Sequence, residues 1–188
     1  MPDSDVTITG VGINPTRTGL LEILQRMGGD IQVENYRDEA GEPVADIRVR
    51  SAPLHGVTIG PEWIPPSIDE FPILCVAAAV AAGQTIVTGA QELRVKESDR
   101  IATMGAELRA MGAQIQEKGD GMVIEGLGHA RGNGRLRGTD GKSHGDHRVA
   151  MSIAVAGLTA LDETRVHDAG CIETSFPDFD QVLTQLTS

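Results

Sequence analysis

The chain has 188 residues, with 16 lysines and arginines against 27 aspartates and glutamates and a formal net charge of −11. That length suits one core rather than two, since domains usually hold about 100 to 150 residues, and the acidity argues against a nucleic-acid surface or an anionic membrane as the main partner. The apolar runs near 73–82 and 149–161 fall short of the ~20 residues that span a bilayer, and Cys75 and Cys171 make no disulfide framework, so a single soluble, cytoplasmic domain over 1–188 is expected.

In chain order, "NPTRTGLLEIL" (14–24) predicts a helix with Asn14 as cap, Pro15 at the first position and Arg17 in the first turn. "LQRMGGDIQ" (24–32) reads as a helix end, a glycine cap and the start of a strand. "DIQVEN" and "ADIRVRS" alternate apolar with polar residues, as sheets wetted on one face do. A fuller unit begins near 57. In it, "SIDEFPILCVAAAVAAGQTIV" (67–87) predicts an acidic start at Asp69, a helix over 71–82 and a strand. That helix is apolar nearly all round, which is the pattern of a helix enclosed by other elements. "ELRVKESDR" (92–100) is dense in charges of both signs and opens a helix whose Ile101, Met104, Leu108 and Met111 recur at helical spacing before Gly112 stops it. "GMVIEG" (121–126) is another alternating strand.

"GTDGKS" (138–143) lacks the glycine spacing of a phosphate-cradling loop and reads as a flexible turn, while "GVGINPTRTG" has Pro15 where a dinucleotide loop needs its third glycine. "HGDHRVAMSIAVAGLTALDETRV" (144–166) opens on Asp146, His147 and Arg148 and carries a second enclosed helix, 149–161. Its two imidazoles alone do not complete a metal site. Cys171 has no cue for a reactive thiol. "FDQVLTQL" (179–186) forms the last helix.

These elements repeat. "LQRMGGDIQ" returns as "LRAMGAQIQ" 84 residues later, and segment 67–87 returns as 144–166, displaced by 77 residues at Asp69/Asp146 and by 79 at Val87/Val166. The repeating unit is therefore βαβαββ, beginning near 57 and near 135, in an α/β (α+β) fold with buried helices and outer sheets. Segment 6–50 holds only the second half of a unit, and the last unit stops after its second helix, so the chain is expected to be one part of a longer cyclic arrangement.

Helix N-termini carry partial positive charge, so a cation in a first turn is unfavourable by about 0.3 to 1 kcal/mol. Arg17, Arg100 with Lys96 behind it, and His147 with Arg148 all stand at such starts. For any one of them, snorkelling to water is sufficient explanation. For three, at related places in a repeat, convergence on a bound carboxylate or phosphate is the better reading. Asp69, Asp146 and Glu97 lie among these cations, where a carboxylate of tuned pKa serves proton transfer beside an anionic ligand. Plain N-capping explains Asp69 and Asp146 equally well, and an ion pair with Lys96 or Arg100 explains Glu97.

"IDEFP", "ELRVKESDRI", "GDHRVAMS" and "TSFPDF", in this order and at these intervals, resemble the C-terminal motifs of the 5-enolpyruvylshikimate-3-phosphate synthase family. The resemblance implies an enolpyruvyl-transferase-like fold of two halves, each with three repeats, of which this chain is the half containing the C-terminus. It implies transfer of the enolpyruvyl group of phosphoenolpyruvate to the 5-hydroxyl of shikimate 3-phosphate, in aromatic amino acid biosynthesis, with glyphosate at the phosphoenolpyruvate position. No cofactor or metal is implied. Arg100 and Arg148 would clamp phosphoenolpyruvate, Glu97 would transfer protons beside it, Asp69 would act on the shikimate hydroxyl, Lys96 would touch that substrate and relay protons, and His147 would line the site with Asp146 orienting it. The missing half is the implied partner, and the isolated chain is expected to be inactive. Two features depart from common family patterns: Thr174 stands where many members carry a lysine, and Glu92 where some have asparagine. The alternatives are a fragment of the related UDP-N-acetylglucosamine enolpyruvyl transferase and a non-catalytic anion-binding complementing module.

Overall fold

In the computed structural model, which describes residues 3–128 and 135–187, the repetition is one of sheets. The ends of the expected 1–188 domain lie outside the described residues. Strands β1 (Asp5–Gly12), β2 (Asp30–Glu39) and β3 (Glu42–Arg50) form an antiparallel sheet in the order β1-β3-β2, with helix α1 (Gly19–Arg26) between the first two. The next unit holds β4 (Thr58–Ile59), the short α2 (Ile64–Ser67), α3 (Phe71–Val80), β5 (Ala82–Val87), α4 (Arg100–Ala110), β6 (Gln114–Lys118) and β7 (Gly121–Leu127), with sheet order β4-β5-β7-β6. The last has β8 (Asp140–Lys142), α5 (His147–Gly157), β9 (Arg165–His167) and α6 (Phe179–Thr187). The order β1-β3-β2 reproduces β5-β7-β6, and the parallel pair β8–β9 reproduces the parallel pair β4–β5. The first unit is thus the second half of the repeat, as its sequence predicts.

Matched chemistry ends the matched helices. Met27 and Met111 are both fully buried, and Gly28 and Gly112 follow them at φ +95° and +90°, a left-handed turn that glycine takes without a Cβ clash. Each methionine carbonyl then accepts a hydrogen bond from a later segment, from His55 N at 2.8 Å and from Arg137 N at 2.9 Å.

Helix α3 is enclosed, packed against β7, α4 and α5, with Phe71, Leu74, Cys75, Ala78 and Ala79 buried. Burial raises the Cys75 thiol pKa far above its ordinary range, so it behaves as an apolar filler. One apolar cluster joins Ile23 and Met27 of the first unit, Ile101, Met104 and Leu108 of α4, and Val149 and Ile153 of α5. The predicted core stripe of α4 is fully buried throughout. On the open face of the first sheet, cross-strand pairs Arg48–Asp5 (2.6 Å) and Arg50–Asp30 (2.8 Å) keep the surface charged.

Several expected boundaries move. Helix α3 ends at Val80 because Ala81 is already extended, at φ −67° and ψ 165°, feeding β5 directly. The second enclosed helix runs over His147–Gly157, where Asp146 caps it, rather than 149–161. "GTDGKS" is no flexible turn: its centre is strand β8, held by pairing with β9. Helix α1 starts at Gly19, not after Asn14. Asn14 instead closes a turn, its side-chain oxygen accepting from Thr16 N (3.1 Å) and Thr16 Oγ1 (2.8 Å) while Arg17 N donates to its carbonyl (2.8 Å). At Gly19 the backbone of α1 lies directly on α2, since a Cβ there would stand 2.8 Å from the Pro66 carbonyl. No single helix among the described residues is long and apolar enough to cross a membrane.

Candidate active site

Three segments from three units meet at one corner: the Asn14–Arg17 turn, the first turn of α4, and the first turn of α5. Asp69 lies between them, in the turn that precedes α3. Arg17 Nη2 is 3.1 Å from Asp69 Oδ2, Arg148 Nη2 is 3.6 Å from the same oxygen, and Arg100 Nη1 is 3.7 Å from Oδ1. Arg148 Nη1 also donates to the Asp69 carbonyl at 3.2 Å, and Arg17 reaches Glu70 Oε1 at 3.6 Å. The three guanidinium groups singled out by their place at helix starts therefore surround a single carboxylate. Asp69 does not head its helix by capping: Glu70 holds the cap position, without a side-chain hydrogen bond. The capping explanation fails for this residue.

Arg100 does not snorkel. Its side chain is completely buried, gripped by Asp146 through Nε (2.8 Å) and Nη2 (3.4 Å) and by Glu97 Oε2 at 2.7 Å. Asp146 is equally buried. It does cap its helix, accepting from Arg148 N at 2.9 Å and Val149 N at 3.4 Å, and takes a further hydrogen bond from Ser98 Oγ at 3.1 Å. Burial opposes its ionisation, but the Arg100 hydrogen bond and charge, the Arg148 amide and the Ser98 hydroxyl outweigh it and hold its pKa below the ordinary aspartate value. Among the described residues no hydrogen bond links Asp146 to the His147 ring; its hydrogen bonds go to Arg100, to Ser98 and to the first amides of α5. Arg100 Nη1 is the remaining donor. It is buried, has no hydrogen-bond partner among the described residues and faces the Asp69 side of the cluster. An unmet buried cationic donor is costly, and an anionic guest would satisfy it.

Asp69, Glu97, Arg100 and Arg148 are thus assembled in one network, joined by Arg17. Lys96 is turned to Glu92 Oε1 at 3.1 Å rather than toward Glu97, so Arg100 is the ion-pair partner of Glu97. His147 is partly exposed at the first position of α5, beside Arg148. Ser98 escaped sequence reasoning, as did Glu70 and Arg94, which pairs with the α4 cap Asp99 at 2.8 Å. The only sequence signal for Ser98 was its place inside "KESDR". His144, the other imidazole of "HGDH", is committed to Glu107 Oε1 at 2.7 Å, and the described residues contain no group of three or more potential metal ligands.

With this geometry in view, the family model for EPSP synthase (3-phosphoshikimate 1-carboxyvinyltransferase) matches residues 1–183. The chain belongs to the EPSP synthase family. A 3-phosphoshikimate 1-carboxyvinyltransferase of Gloeobacter violaceus is 56% identical over 186 residues, 99% of this chain and 42% of the relative. One from Geobacter sulfurreducens is 53% identical over the same coverage. An EPSP synthase structure from Acinetobacter baumannii superposes with a TM-score of 0.94 at 45% identity, covering 98% of this chain and 42% of that one. The chain therefore spans about 42% of the length of the EPSP synthases it matches. Thr174 is exposed and donates its hydroxyl to the Cys171 carbonyl at 2.7 Å.

Proposed function

We propose that this chain supplies one half of a cytoplasmic 3-phosphoshikimate 1-carboxyvinyltransferase, working as a single enolpyruvyl-transferase domain with the remainder of the enzyme as its partner. The observation that carries the reading is the convergence of Arg17, Arg100 and Arg148, from three repeat units, on Asp69.

In this reading Arg100 and Arg148 bind the carboxylate and phosphate of phosphoenolpyruvate, or glyphosate in its place. Arg100 offers its unpartnered Nη1, and Asp146 keeps its guanidinium rigid. Asp69 takes the proton of the shikimate 3-phosphate 5-hydroxyl as its oxygen bonds to C2 of phosphoenolpyruvate, while C3 gains a proton. In the second step C3 loses a proton and the C2–phosphate bond breaks, leaving the enol ether and inorganic phosphate. Glu97 and Lys96 flank this centre as the groups that carry the C3 proton, and His147 lines it. Lys96 must exchange its Glu92 partner for substrate to take part. Arg100 and Arg148 stabilise anionic charge on the departing phosphate, and their guanidinium groups are held in place before the reaction rather than reorganised during it.

The test is phosphate release with phosphoenolpyruvate and shikimate 3-phosphate. The chain alone should release none, because part of the substrate-contacting surface lies in the partner. Addition of the remaining enzyme segments should restore turnover. Phosphate release from the isolated chain at the restored rate, or none from the assembly, would refute the proposal.

A further inference from the structure

We infer that Arg17 is the residue that orients the Asp69 carboxylate, a positioning role that rests on the reaction assigned above. Three guanidinium groups surround Asp69, but they are not equivalent. Arg17 Nη2 lies at hydrogen-bond distance from the carboxylate, 3.1 Å, whereas Arg148 and Arg100 stand at 3.6 and 3.7 Å, beyond it. Arg100 has its strong hydrogen bonds to Asp146 and Glu97. Arg148 spends its hydrogen bond on the Asp69 carbonyl, which fixes the backbone and leaves the carboxylate free to rotate. The amides of α3 take nothing from Asp69, because the cap position belongs to Glu70. Among the described residues Arg17 alone donates a hydrogen bond to this carboxylate.

Arg17 is itself held for the task. The Asn14 side chain closes the turn that carries it, and two residues later Gly19 seats the chain against Pro66. Glu70 Oε1, at 3.6 Å, flanks the guanidinium on a second side. The Arg17 side chain is 57% exposed, so the pair adds little to stability. Its consequence is the direction in which a proton acceptor points, and a misplacement of about 1 Å in such a group can cost on the order of 100-fold in rate.

The experiment uses the enzyme assembled from this chain and the remaining segments, with Arg17→Met, Arg17→Lys, Asp69→Asn and the double variant Arg17→Met/Asp69→Asn. Arg17→Met should lower kcat by about 10- to 100-fold, with KM for phosphoenolpyruvate within about 2-fold of the unsubstituted enzyme because the Arg100–Arg148 clamp is intact. Arg17→Lys should recover part of the loss. In the Asp69→Asn background Arg17→Met should cost nothing further, since the carboxylate it orients is gone. An unchanged kcat in Arg17→Met, a loss confined to KM, or additive losses in the double variant would each overturn the inference while Asp69→Asn still reports the reaction. Absence of turnover in the unsubstituted assembly would overturn the functional reading, and the role of Arg17 with it.

Discussion

Arg100 is among the largest side chains that the fold buries completely, and a buried guanidinium is tolerated only where carboxylates meet it. Asp146 is the test of this. Asp146→Asn keeps a good helix cap but removes the buried negative charge, so it should destabilise the chain toward the low end of the ~3 to 5 kcal/mol cost of breaking a buried pair, Glu97 retaining one of the contacts. Chemical denaturation would measure the difference. Because the folded-state pKa of Asp146 is depressed, its stabilisation is complete above the ordinary aspartate value near 3.9 and is lost as pH falls through the lower folded value. Asp146→Asn should therefore flatten the acid limb of the stability profile. The sequence made Arg17, Arg100 and Arg148 conspicuous because cations at helix starts run against the dipole. It could not distinguish their surroundings: Arg100 is buried among carboxylates and Arg17 is largely exposed. It also placed Arg17 inside a helix that begins two residues later, since Asn14 is as good a turn former as a helix cap. Asp146 was legible as a cap, but its grip on Arg100 depends on a contact 46 residues away in sequence, which no local pattern carries.

The helices and strands show what a periodic pattern can and cannot specify. The stripe Ile101, Met104, Leu108 and Met111 gave α4 its buried face, and the two glycine-capped endings were visible as a matched pair. Their equivalence is incomplete in a way that can be measured. A Cβ on Gly28 would meet His55 Nδ1 at 3.0 Å and the Pro53 carbonyl at 3.2 Å, whereas one on Gly112 would find nothing nearer than Arg137 at 3.9 Å. Gly112→Ala should cost the left-handed strain alone, about 1 to 2 kcal/mol, and Gly28→Ala should cost more, which thermal unfolding of the two variants would resolve. The misassigned "GTDGKS" is instructive in the same way. Three residues rich in glycine and charge carry no strand propensity, and β8 exists because β9 offers it a ladder.

The arrangement of units was readable well beyond any single element, because self-similarity over the chain is independent of local propensity. The offsets between matching segments predicted a half unit, a full unit and a shortened unit, and the sheet orders reproduce them. What repetition could not supply was the angle at which the units meet, and the convergence of Arg17, Arg100 and Arg148 on Asp69 depends on that angle. The first and second units touch there mainly through main chain: a Cβ on Gly19 would stand 2.8 Å from the Pro66 carbonyl carbon and oxygen and 3.0 Å from the Cβ of the rigid proline ring. A single methyl group at residue 19 would act as a wedge. Gly19→Ala should tilt α1 away from α2 and carry the Arg17 turn with it, so that turnover of the assembled enzyme falls together with thermal stability. Arg17→Met, by contrast, should reduce turnover and leave the melting temperature in place. This backbone contact is thus also an alignment gauge, reading out across a few atoms whether neighbouring modules are seated.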